Sequence, residues 1–181
     1  LGGVLDAEEL TEPVVLLGHS YGGLLALSFA LRHPERVAGL ALIDPPLPTA
    51  GWGPKIAEIF GVTGEERDRR ISNAYDSMHG SRETRKRRRL AATANALVSD
   101  TSLLDDMRGS ASFTEQDFER LECPVLAIYG DDSEIIESAE RLSWLLPQVD
   151  VRILEGCTHL VLFEATQEVR TLILGWLERM R

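Results

Sequence analysis

The sequence predicts an α/β fold: a largely parallel sheet with flanking helices and an inserted helical cap. Three observations carry that prediction. Four short apolar runs are separated by segments of helical pattern. The first three runs barely alternate, as expected of strands covered by helices on both faces. A long polar stretch then separates the second run from the third, large enough to form a cap.

In chain order, the first strand is Val14-Val15-Leu16-Leu17. Residues 24–36 follow, apolar and Ala-rich, with a helical pattern that the His33-Pro34 step ends. The second strand is Val37-Ala38-Gly39-Leu40-Ala41-Leu42-Ile43. Pro45, Pro46, Pro48, Gly51, Gly53 and Pro54 then open a loop. Beyond it, residues 65–79 and 82–106 read as two polar helices of the cap. The third strand is Val125-Leu126-Ala127-Ile128-Tyr129, and a helix spans residues 137–146. After the fourth strand, Val151-Arg152-Ile153-Leu154, residues 166–181 place Val169, Ile173, Trp176 and Leu177 on one helical face. The domains expected are a core over residues 1–46, a helical cap over 47–120, and a second core portion over 121–181.

Composition narrows the function classes. Of the 181 residues 44% are hydrophobic, enough to bury a core, which excludes a disordered chain. The balance of 19 basic and 29 acidic residues, a net charge of −10, argues against nucleic-acid partners and against an anionic membrane surface. The cluster Arg82, Arg85, Lys86, Arg87, Arg88 and Arg89 reads as a solvated helix face, or else as a cationic rim for an anionic ligand. No apolar run approaches the ~18 residues of a membrane span. The absence of a signal-peptide pattern and the presence of two cysteines, Cys123 and Cys157, point to a reducing, cytoplasmic setting. Those thiols stand at opposite ends of parallel strands, about 20 Å apart by strand rise, too far to bridge. No residue pattern calls for a metal or a cofactor.

The chemistry concentrates in Gly18-His19-Ser20-Tyr21-Gly22, a G-x-S-x-G turn set between the first strand and the first helix. A nucleophile on such a turn has a strained backbone, and side chains two residues to either side would collide with it. Gly18 and Gly22 are expected to relieve that crowding. Ser20 needs a base to take its proton, and histidine titrates in the right range. Of four histidines, His33 is expected at the surface, while His19 and His79 are expected to be structural or to line the substrate. His159 follows the last strand by a short loop and so lies at the same sheet edge as Ser20.

These blocks resemble the α/β-hydrolase fold family over most of the chain. The resemblance runs from Pro13 to Gly23, through His33-Pro34-Glu35-Arg36-Val37 and Leu42-Ile43-Asp44-Pro45-Pro46. It continues at residues 123–130 and ends at Gly156-Cys157-Thr158-His159 with Glu164. It implies Ser20 as nucleophile, His159 as base and the Tyr21 N–H as one oxyanion donor. The family's usual acid position holds Ser133 here, so the acid stays open among Asp44, Asp132 and Glu134, with Asp131 behind them and Asp44 first. The expected reaction is hydrolysis of an ester, thioester or related acyl bond of a small molecule, with His19 and Trp52 at the substrate. Phe60, Tyr75, Met78 and Met107 are further candidates for its pocket. A carbon–carbon hydrolase, a lyase or cyclase, and a non-catalytic binding module are the alternatives. The resemblance also implies earlier strands and a second oxyanion donor, expected from a separate chain or from upstream residues. Residues 1–181 alone are expected to aggregate and to be nearly inactive.

Overall fold

The computed structural model describes residues 1–47, 53–54, 61–62, 66, 69, 92–93, 96–109 and 113–180. The chain divides into two compact units, Leu1–Leu47 with Thr114–Arg181, and Pro48–Phe113. Most of the two expected cap helices lies outside the described residues, as do Trp52, Phe60, Tyr75, Met78, His79 and the arginine cluster 82–89. Within the second unit, helix α3 (Leu103–Arg108) buries Met107. Gly53 packs against it so closely that a Cβ there would lie 2.2 Å from the Met107 carbonyl oxygen.

The first unit is a four-stranded sheet in the order β1-β2-β3-β4, with every pairing parallel. Helix α1 (Gly2–Ala7) leads into β1 (Val14–His19), followed by α2 (Tyr21–Arg32) and β2 (Val37–Ile43). The short α4 (Glu115–Phe118) precedes β3 (Val125–Gly130), α5 (Glu137–Leu145) and β4 (Asp150–Leu154). The four-residue α6 (Val161–Glu164) and the C-terminal α7 (Thr166–Arg179) complete the unit.

Helix α2 starts three residues earlier than its apolar pattern suggests, directly after Ser20. Tyr21, Gly22 and Gly23 form its first turn, which the Gly23 and Leu24 N–H groups close on the Ser20 carbonyl. It stops at Arg32 because Pro34 disfavours helical backbone at His33, and residues 34–36 form a separate 3₁₀ turn.

Strands β2 and β3 are buried almost throughout, as their unbroken apolar sequences require. Strand β1 departs from that expectation. It pairs with β2 alone among the described residues, and Val15 and Leu17 stand 40% and 55% exposed. An apolar sequence predicts what a strand can bury; its neighbours decide what it does bury. Helix α7 closes one face of the sheet. Val169 and Trp176 are buried there against Ala41, Ile43, Leu126 and Ile128, with Leu172, Ile173 and Leu177 beside them. Gly39 makes room on β2, since a Cβ there would meet Met180 Cε at 2.6 Å and Trp176 Cη2 at 2.9 Å.

Candidate active site

Because all four strands run the same way, their C-terminal ends gather the loop residues at one sheet edge. Ser20 follows β1, Asp44 follows β2, Ser133 lies in the turn after β3, and His159 follows β4. Ser20 sits at φ 52°, in the left-handed region that a side chain rarely adopts, and so does Asp44 at φ 44°. Each is tied to the next strand by its own N–H: Ser20 to the Ile43 carbonyl at 2.9 Å, Asp44 to the Ile128 carbonyl at 2.7 Å. The sheet ladder thus holds both strained residues in place.

Gly18 and Gly22 do not share the crowding of the turn. A Cβ on Gly18 would lie 2.4 Å from the Gly22 carbonyl carbon and oxygen, a clash of backbone with backbone. A Cβ on Gly22 would meet nothing within 4 Å. The second tight position is Gly23, 3.0 Å from the Gly18 oxygen and from Pro45 Cβ. The crowding comes from the strand pressing on the first helical turn, and it falls on the residues whose Cα atoms face each other.

Three side chains join in a line. Ser20 Oγ lies 2.8 Å from His159 Nε2, and His159 Nδ1 lies 2.6 Å from Asp44 Oδ2. An ionised carboxylate only accepts, so Nδ1–H donates to Asp44 and leaves Nε2 to accept the Ser20 hydroxyl proton. Asp44 is fully buried, and its oxygens also accept the Gly130 N–H at 3.1 Å and the Ser133 hydroxyl at 2.6 Å. Of the acid candidates, the structure places Asp44 on His159. Asp132 and Glu134 are exposed in the turn after β3; the Asp132 N–H donates to the Cys157 carbonyl, and Asp131 Oδ1 accepts the Cys157 N–H.

Burial alone pushes the His159 imidazole toward its neutral form. The hydrogen bond and charge of Asp44, with the charge of Glu134 behind them, outweigh it and raise the His159 pKa above its ordinary value. His19 moves the other way: burial lowers its pKa below the ordinary value. Its Nε2–H donates to the His159 carbonyl at 3.0 Å, the two rings lie 5.3 Å apart, and Phe163 meets His19 edge-on. His19 therefore braces the loop that carries His159. The turn after β4 uses Gly156 at φ 69°, and Glu164 accepts both the N–H and the hydroxyl of Thr158. Behind the site, burial and the Asp44 charge raise the Tyr129 phenol pKa, and its O–H donates to the Pro45 carbonyl. Both cysteines are free.

Sequence reasoning did not find the Ser133–Asp44 bond or the His19–His159 brace. The signal for the first was present: a small hydroxyl residue stood where a carboxylate was expected.

The model of the Alpha/beta hydrolase family matches residues 3–172. The chain belongs to the α/β-hydrolase family. Among curated relatives, the carboxylesterase YbfK of Bacillus subtilis is 27% identical over 92% of this chain and 58% of its own length. The 2-hydroxy-6-oxo-2,4-heptadienoate hydrolase of Pseudomonas putida is 29% identical over 91% of this chain and 63% of its own. The chain thus spans about three fifths of these relatives. A thermophilic esterase from Thermogutta terrifontis superposes with a TM-score of 0.76 at 22% identity, covering 99% of this chain and 70% of that one. That likeness concerns the fold. No helix among the described residues is long and apolar enough to cross a membrane.

Proposed function

We propose that this chain carries the nucleophile, base and acid of a serine hydrolase acting on an ester, thioester or related acyl bond of a small molecule. The observation that carries the reading is the unbroken line Ser20 Oγ–His159 Nε2, His159 Nδ1–Asp44 Oδ2. In it, His159 takes the hydroxyl proton as Ser20 attacks the carbonyl carbon. Asp44 holds the ring in the required tautomer and stabilises the imidazolium that forms. His159 then gives the proton to the leaving group, and a water deprotonated by His159 releases the acyl group from Ser20. Tyr21, the first residue of α2, is the proposed backbone donor to the oxyanion, aided by the helix N-terminus. The esterase relatives support an acyl substrate.

A second reading, hydrolysis of a carbon–carbon bond by the same residues, draws on the relatives named for 2-hydroxy-6-oxo-dienoates. The two separate by turnover: p-nitrophenyl acetate for the first, a 2-hydroxy-6-oxo-dienoate for the second. Common to both is a reactive serine. A fluorophosphonate probe is expected to label the full chain at Ser20 and to lose that label in Ser20→Ala. Equal labelling of the variant would remove the nucleophile from the reading.

A further inference from the structure

We propose that Ser133 is a positioning residue for Asp44. Its buried hydroxyl donates to the same carboxylate oxygen that His159 engages, and so sets both the place of that oxygen and the strength of its hold on the imidazole. The inference rests on the reading of Asp44 as the acid.

Asp44 and Ser133 are both buried, 0% and 3% exposed. They come from the ends of different strands, yet Ser133 Oγ and Asp44 Oδ2 lie 2.6 Å apart. The turn that presents Ser133 is clamped on both sides. Gly130 donates its N–H to Asp44 Oδ1, and a Cβ on Gly130 would lie 2.1 Å from the Cys157 carbonyl oxygen. The Ser133 N–H donates back to the Gly130 carbonyl at 3.3 Å, and its Oγ accepts the Ile135 N–H at 3.4 Å. The hydroxyl therefore has a fixed place, aimed at one oxygen.

That oxygen already receives His159 Nδ1–H at 2.6 Å. Two charge-assisted bonds on one carboxylate oxygen draw on the same negative charge, so each tempers the other. The charged or titratable groups facing His159 are Asp44 from the end of β2, Glu134 from the turn after β3 and His19 from the end of β1. Glu164, near His159 in sequence, is engaged by Thr158. Removing the Ser133 hydroxyl leaves Glu134 and His19 as they were and acts through Asp44 alone. The carboxylate becomes a stronger partner of the imidazolium and a looser one in orientation. The acidic limb of reactivity then moves to higher pH, while the plateau rate falls.

The test is the rate of Ser20 labelling by a fluorophosphonate from about pH 5 to about pH 9, measured on the full chain and three variants. Circular dichroism on each variant checks the fold. Ser133→Ala is expected to lower the plateau roughly tenfold and to raise the acidic limb by about half a pH unit. Asp44→Asn is expected to lose nearly all labelling. In the double variant Asp44→Asn with Ser133→Asp, a carboxylate enters from the turn after β3 beside the oxygen's former place. Labelling is expected to recover at least about tenfold over the single Asp44→Asn variant. If Asp44→Asn is impaired while Ser133→Ala keeps both plateau and limb, Ser133 is only a turn former and the inference falls. Failure of the double variant to recover, with its fold intact, overturns it equally. If Asp44→Asn labels normally, the acid reading itself falls.

Discussion

At the residue scale, the site sets two pH dependences against each other. His159 must be neutral to accept the Ser20 proton, and its pKa is raised above the ordinary value of 6.5. Reactivity is therefore expected to fall as pH drops through a value above 6.5. The stability contribution runs the opposite way. A histidine whose folded pKa is raised stabilises the fold fully below about pH 6.5, and loses that contribution as pH rises through the folded value. Denaturant melts should show the Asp44→Asn variant losing this component most below about pH 6.5. The same substitution is expected to cut turnover roughly 10³–10⁴-fold, the scale seen when a serine protease loses its orienting carboxylate. Asp132→Asn should change turnover far less, because its carboxylate is exposed and lies off the Ser20–His159–Asp44 line. Steady-state kinetics on both variants checks the ranking; the reverse order would move the acid to the later turn.

At the element scale, the strand-to-helix turn depends on Gly18 and Gly23, which press on each other's backbone across it. Gly18→Ala brings a methyl group 2.4 Å from the Gly22 carbonyl, where no side chain can swing aside. The variant is expected to lose at least about 1–3 kcal/mol, as overpacking does elsewhere, and to misplace Ser20. Gly22→Ala has open space and a helical backbone, so it is expected to keep or gain stability, by up to about 1 kcal/mol. Urea midpoints for the two variants give the comparison directly. If both lost stability alike, the turn would be crowded differently from the geometry described.

At the scale of the molecule, β1 ends the sheet with an edge that no described residue pairs. It holds no proline or lysine to discourage pairing, and Val15 and Leu17 stand exposed on it. A groove of about 520 Å³ runs beside it, lined by Leu1, Val4, Leu17, Leu25 and Phe29 among others. We propose that this edge pairs with further strands of the same fold, from another chain or from preceding residues, which also bring the second oxyanion donor. Residues 1–181 expressed by themselves are then expected to self-associate and to turn over weakly. Sedimentation velocity with a parallel assay decides it: a monomer with full activity overturns the proposal.

Local sequence determined the strand-and-helix alternation, the G-x-S-x-G turn and the places of Ser20 and His159. Each is a signal contained within a few neighbouring residues: an apolar run, a glycine spacing, a position just past a strand. The acid was not settled in that way. Asp44, Asp132 and Glu134 all follow strands at the right edge, and the resemblance put Asp44 first without deciding among them. Their burial and bonding depend on partners 86 to 115 residues distant, through the Gly130, Ser133 and His159 bonds to Asp44. That β1 stands uncovered fits the earlier strands the resemblance implies; apolar sequence states a capacity for burial, and only the neighbouring elements fill it. Asp44 meets His159 because the sheet register brings three donors to its carboxylate, and register is a property of the tertiary structure.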